Sequence, residues 1–593
     1  MVRKLIATAL ILALCLGCAA CTSQDKPNGT EKPTQGATIP PEPLPEAPDV
    51  LTVDADEIFS SRDRDASYSG VTKITLSDKG SKVDGSGVTV KGSTITITAE
   101  GTFVFTGTLS NGQIRVNVSK QQKVQIVLQD ASVTCKGSAA LYLIQGDKLF
   151  VTLAEGTQNT LASKGTYNTQ SADGVDAAVF TKADTSFNGS GALTVSSEKG
   201  HGIVCKDDLK FAGGSYTVQS AKQGLSGKDS LCIESGSFTI NSGTDALRSK
   251  HDTDNTKGYV YIYGGNFDIT AGNDGVDASK DLQITGGTMK IVTGAGSSSQ
   301  TATEDSFKGL KAVGIVITGG SFQMDTEDDA IHSNDALTIS GGTFVLATGD
   351  DALHADTSIT VCGGEIDIAK SYEGMEGRYI ILYDGDIVLR SYDDGINAGG
   401  GNDDSSAGSP FGGPHKAEDA FVAIYGGNLS INAGGDGIDS NGDFVVGGGT
   451  VYLDGPTNPG NGPLDYAGKA KITGGTFIAL GSAGMAMNFG EESTQGAILC
   501  ALNGTADAGT EVSVKDSTGK VLASYVSQKD FQSILISAPG MTQGQTYTVC
   551  AGDATAEFTL DTLIYGNGHG GPGGPGGPGG PGGPGGPGGP GRP

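Results

Sequence analysis

The chain has 593 residues, 96 of them glycine, with 18% charged residues and no tryptophan. A formal net charge of −28 excludes a nucleic-acid partner and makes the surface a sink for divalent cations. Short runs of Val, Ile, Thr and Phe between clusters of Gly, Ser, Asn and Asp, without helical periodicity, predict an all-β protein whose length comes from a repeat rather than from one layered core.

Residues 1–21, "MVRKLIATALILALCLGCAAC", set Arg3 and Lys4 before an apolar run that ends in small residues and cysteine, the pattern of an export leader. The stretch resembles a bacterial lipoprotein signal. That resemblance implies a lipid on Cys21, with Cys18 as the alternative, membrane contact through the lipid only, and a place on the extracellular face of the cytoplasmic membrane at the cell surface. Residues 22–50 are rich in Pro, Thr and charge and predict a disordered tether. Residues 51–200 alternate apolar and polar side chains and predict irregular coils, followed by regular coils over 201–490. Residues 491–562 lose the repeat signature and read as a strand-rich cap or small domain. The Gly-Pro repeats of 563–593 cannot bury a core and predict a disordered tail. Cys135, Cys205, Cys232, Cys362, Cys500 and Cys550 form no C-x-x-C pair, and spacing leaves a Cys500–Cys550 disulfide open.

The repeat appears when a short acidic-aliphatic motif is aligned: "DGVDA" at 274, "KGLKA" at 308, "DAIHS" at 329, "DALHA" at 351, "EGMEG" at 373, "DGINA" at 394 and "DGIDS" at 436. A second signature follows each motif, as in "ITGGSFQMD" and "ISGGTFVLA". One unit cannot bury Leu337, Ile339, Phe344 and Leu346 alone, but stacked units can. A period of about 22 residues with three short strands predicts a right-handed parallel β-helix whose coils lie about 4.8 Å apart.

In stacked coils, equivalent positions form columns. The first motif residue gives a corner column through Asp245, Asp274, Lys308, Asp329, Asp351, Glu373, Asp394 and Asp436. Asn273, Asp328, Asp350 and Asp393 precede it, and Asp277, Lys311, His332, His354, Glu376, Asn397 and Asp439 follow three places on. Alternation predicts outward side chains at the second and fourth motif positions, with the Gly or Ala at the second leaving room for an ion. Carboxylates one coil apart repel by about 1 kcal/mol in water and about 3.5 kcal/mol at an effective dielectric of 20, so the column predicts a neutralising cation. All-oxygen donor sets suit Ca2+, several ions in all. The candidate sets are Asp393, Asp394 and Asn397 with Asp436 and Asp439; Asp328 and Asp329 with Asp350 and Asp351; and Asn273, Asp274 and Asp277. His332, His354 and Glu373 are weaker candidates for metal or ligand contact. The competing reading is that each Asp or Asn caps backbone amides at a turn.

The leader, the tether, the "DDAIHS…ITGGTF" coils and the Gly-Pro tail together resemble the carbohydrate-binding domain-containing β-helix lipoproteins of Gram-positive bacteria. These are related to pectate-lyase-like and family-nine polysaccharide lyase folds. The resemblance implies bound calcium and affinity for a cellulose- or pectin-type polysaccharide. Asp393 and Asp394 match the lyases' acidic doublet, while Asn397 stands where they place a third acid. Two activities follow as expectations: a calcium-binding surface protein that engages pectate, polygalacturonate or cellulose without catalysis, or a calcium-dependent lyase acting by β-elimination with Lys308 or Lys311 as base. A calcium-stabilised adhesin is a third. The absence of tryptophan leaves Tyr259, Tyr261, Tyr263, Tyr372, Tyr383 and Tyr392 to supply any aromatic platform, and the sequence leaves the oligomeric state unknown.

Overall fold

The computed structural model describes residues 44–167, 173–299, 305–399 and 419–566. The leader with Cys18 and Cys21, the tether up to residue 43, and the tail from residue 567 lie outside the described residues. Among the described residues the helices are single turns, Ala55–Ile58 and Ser61–Arg64, and no helix is long and apolar enough to cross a membrane. The rest is strand. A 41-stranded sheet carries most of the chain, and a separate four-stranded antiparallel sheet joins Glu511–Lys515, Val521–Val526, Thr546–Ala551 and Ala554–Thr559.

The all-β class agrees with the sequence pattern, but the expected right-handed parallel β-helix is corrected by how the large sheet closes. Ten strands form a closed parallel barrel. From Ser230–Ser242 the ring passes through Asn266–Ala271, Thr288–Thr293, Ser321–Thr326, Thr343–Thr348 and Leu353–Ser371. It returns through Ile331–Ile339, Leu310–Ile317, Asp281–Ile284 and Tyr259–Ile262. Further strands pair outside this ring, antiparallel near Thr72–Leu76 and again at Thr476–Gly481.

Closure has a local cause. Period counting assumes that a Gly-Gly turn ends one strand and starts another. In Leu353–Ser371 the segment Cys362-Gly363-Gly364 instead stays within the strand, absorbed as register shifts, so one strand serves two faces. Gly364 has φ +109°, a conformation that side-chain-bearing residues avoid, and a Cβ there would lie 3.1 Å from the Gly342 carbonyl oxygen.

One apolar cluster runs through the large sheet. Leu337, Ile339, Phe344 and Leu346 are all buried in it, and Phe344 stacks on Phe322 with ring centroids 4.6 Å apart. A second cluster, including Val512, Ile534 and Tyr547, fills the space beside the four-stranded sheet. Cys500 and Cys550, a possible pair by position, are free thiols. Residues 44–66 lie on the sheet: Leu44 sits beside Gly447, Val53 exchanges hydrogen bonds with Gln283, and the buried Asp63 pairs with Lys148 at 2.6 Å. No hydrophobic period marks this strap, because its apolar anchor, Phe59 against Tyr263, is isolated among polar ones.

Phe344→Ala removes a ring that is 1% exposed and stacked on its neighbour. The expected cost is about 3–5 kcal/mol, read as a lowered denaturation midpoint in urea.

Candidate metal centre

The corners are built by the backbone first. The amide after each corner residue donates to the carbonyl of the next corner: Gly275 to Lys308, Gly309 to Asp329, Ala330 to Asp351, Ala352 to Glu373, Gly374 to Asp394 and Gly395 to Asp436. This explains the invariably small second position differently from the sequence expectation. Ala330 and Ala352 are fully buried, not outward-facing. A Cβ on Gly374 would lie 2.4 Å from the Gly395 carbonyl oxygen, so the contact between neighbouring corners itself excludes a side chain there.

Corner carboxylates also cap amides, as turn chemistry requires. Asp274 Oδ1 accepts from the Lys308 amide at 2.8 Å, Asp329 Oδ1 from Asp351 at 3.0 Å, and Asp394 Oδ1 from Asp436 at 2.6 Å. The capping and ligand readings therefore describe the same residues. At Asp329 the second oxygen already accepts from Lys308 Nζ and lies against His332 Nδ1.

The fourth motif position forms a continuous register column: Arg248, Asp277, Lys311, His332, His354, Glu376, Asn397, Asp439 and Asp465. Expected on the surface, His332, His354 and Glu376 are instead buried, because the corner bends and brings this side chain back to the corner acid. His332 Nδ1 lies 2.7 Å from Asp329, and His354 Nδ1 lies 3.2 Å from both Asp351 and Glu376. The two imidazoles stack at 4.6 Å.

The column changes character along its length. In its first part, basic side chains sit among the acids. Arg248 bridges Asp245 and Asp277, Lys311 lies 3.9 Å from Asp274, and Lys308 Nζ lies 2.9 Å from Asp328 and 2.8 Å from Asp329. Two predicted calcium sets fall here. Asp328, Asp329 and Asp350 bring carboxylate oxygens within 4.8 Å of one another, as do Asp245, Asp274 and Asp277, with Asn273 half-buried alongside. Asp351, predicted with the first of these sets, converges with His354 and Glu376. In both acidic groups a protein cation already occupies the place that an ion would take. Burial alone would lower the Lys308 ammonium, but Asp329 and Asp328 hold it well above the ordinary lysine range, the opposite of what a general base needs.

After His354 the column contains no basic residue. Here Asp393, Asp394, Asn397, Asp436 and Asp439 stack with Glu373. Asn397 Nδ2 donates to Glu373 Oε1 at 3.2 Å, while Glu373 Oε2 and Asn397 Oδ1 are buried without a hydrogen-bond partner among the described residues. Gly435 leaves a cradle, since a Cβ there would lie 2.3 Å from both Asp393 Oδ1 and Asp394 Oδ1. Burial and then the charges of Asp436 and Glu373 push Asp394 up to about 9. Burial and Glu376 push Glu373 up to about 8, and burial with Asp439 and Asp465 pushes Asp436 up to about 7. Buried carboxylates with raised pKa values and unpaired oxygens fit a hard divalent cation with oxygen ligands. Asp245 and Glu376 went unassigned in the sequence reading, although both stand in the aligned columns.

Fold and corner together define an all-β repeat protein with an acidic ladder along one edge. The chain belongs to the family described as carbohydrate-binding domain-containing protein, whose family model matches residues 91–352 and 351–569. It is similar to a carbohydrate-binding domain-containing protein of Acetivibrio thermocellus, 31% identical over 136 residues, which are 23% of this chain and 48% of the relative. The chain thus spans about half the length of that curated relative. A polysaccharide lyase-like protein from C. thermocellum, solved as a gadolinium derivative, aligns at 30% identity and a TM-score of 0.36, over 37% of this chain and 90% of its own.

Lys308→Met leaves Asp329 buried without its ammonium, and the expected loss is about 3–5 kcal/mol by chemical denaturation. In chelator, the folded chain keeps protons on Asp436, Glu373 and Asp394 that the unfolded chain releases near 3.8 to 4.5. Their contribution is therefore full in acid and is lost as pH rises through about 7, 8 and 9. The melting temperature in chelator should fall across that window, and Asp394→Asn should flatten its upper end.

Proposed function

We propose that this chain is a calcium-dependent carbohydrate-binding protein whose acidic corner engages an anionic polysaccharide of the pectate type. The observation that carries the reading is the change along the column: Arg248, Lys308 and Lys311 sit among the acids up to Asp329, whereas the step from Glu373 to Asp439 has no basic residue in the column and holds two buried oxygens that lack hydrogen-bond partners among the described residues. Family membership supports the carbohydrate part of the reading.

Asp393, Asp394, Asn397, Asp436 and Asp439 would hold the ion, with Glu373 beside them. Carboxylate and amide oxygens in an irregular arrangement suit calcium better than magnesium, which demands a near-octahedral set. Calcium bound there supplies positive charge on a surface that would otherwise repel a uronate. Asp394 and Asp436 fix the corner backbone through their capping oxygens, and Gly435 keeps Asp393 and Asp394 accessible. An export leader and a lipid on Cys21 would present this corner at the cell surface.

Binding rather than cleavage is favoured by Lys308, which its two aspartates keep protonated. Calcium should raise the melting temperature of the chelated chain and cause retention on immobilised polygalacturonate. Gly435→Ala, which places a methyl group in the cradle, should abolish both effects. Thermal unfolding indifferent to calcium would remove the basis of the proposal, and release of unsaturated uronate, detected by its ultraviolet absorbance, would assign a lyase instead.

A further inference from the structure

Tyr392 stands directly before the Asp393–Asp394 doublet and is 78% exposed. Its ring nevertheless has a fixed neighbour: it stacks on Tyr372, with centroids 6.0 Å apart and planes 29° apart. Since one face is backed by Tyr372 and most of the ring remains exposed, the opposite face must open to solvent. The Asp393 amide donates to the Tyr372 carbonyl at 2.9 Å, so the backbone ties the ring pair to the acidic corner.

Glycines follow at the next corner. Gly434 and Gly435 follow in register, their amides bonded to the Ser391 and Asp393 carbonyls. Neither contributes a side chain, and a Cβ on Gly434 would meet the Tyr392 carbonyl oxygen at 2.0 Å. Tyr392 therefore presents a flat aromatic face one residue away from Asp393, whose Oδ1 lies against Gly435.

We propose that the open face of Tyr392 is a saccharide subsite, where the C–H face of one uronate ring of an acidic polysaccharide stacks while its carboxylate reaches the cation held by Asp393 and Asp394. This inference rests on the function proposed above and adds the residue that orients the sugar. A uronate fits better than a neutral sugar because the ring pair is small and lies against charged groups: stacking supplies one contact, and the carboxylate supplies the second. Without the ion, the same aspartates repel the polymer, so stacking and calcium must act together.

The test is equilibrium binding of a labelled oligogalacturonate to the full chain in calcium, with calcium affinity measured separately by calorimetry on the same samples. Tyr392→Ala should weaken the sugar about tenfold and leave calcium affinity unchanged, while Tyr392→Phe should stay within about twofold of the native chain. Tyr68→Ala, a change at another exposed tyrosine, should have no effect. An alanine variant that binds the oligomer as well as the native chain does would overturn the subsite, and equal losses in the alanine and phenylalanine variants would replace stacking with a hydroxyl contact. The same tyrosine-dependent loss on a neutral cello-oligosaccharide without calcium would overturn the uronate assignment. Failure of the native chain to bind the oligomer would instead defeat the function proposed above, so the two failures are separable.

Discussion

Carboxylates held one ladder step apart on a shared corner repel one another, and burial strengthens the repulsion by removing water from between them. Each such acid needs a proton, a basic neighbour or a bound cation. The structure uses the second solution at Asp245, Asp277, Asp328 and Asp329, where Arg248 and Lys308 lie within salt-bridge distance. From Glu373 to Asp439 the column supplies no basic residue, and burial first, then the neighbouring acids, raise the carboxyls of Glu373, Asp394 and Asp436.

The acids cannot simply move apart, because the backbone holds them. Each corner amide is bonded to the next corner carbonyl, and capping oxygens of Asp274, Asp329 and Asp394 tie side chains to the same ladder. Behind the corner, Ile331 pairs with Leu353, and Met375 with Ile396, inside the continuous apolar cluster. Hydrophobic burial thus sets the spacing, and the spacing creates the electrostatic problem that a cation would solve. Strain of this kind, opposed by a well-packed scaffold, is typical of sites that take a ligand.

Much of this corner was legible in the sequence. Aligning "DDAIHS" with "DDALHA" places His332 beside His354 and Asp329 near Asp351, and the structure stacks the two rings. What alignment missed is direction. Parity alone predicts that the second and fourth motif residues face outward, yet Ala330 and His332 are both buried. The bend at Asp329 resets the alternation, and no residue in the motif announces that bend. The closed ring escaped for a similar reason, since Gly363 and Gly364 read as a strand end but continue the ladder as a bulge.

By itself, the sequence determined the all-β class, the period, and which residue types share a column, because these depend on hydrophobic alternation and spacing along the chain. Only the tertiary structure decided which acids already have a protein cation, which oxygens are buried without a partner, and where Gly435 leaves a recess. Those outcomes depend on side chains from different turns approaching within a few ångströms, and Lys308 reads the same in the chain whether it meets Asp329 or solvent.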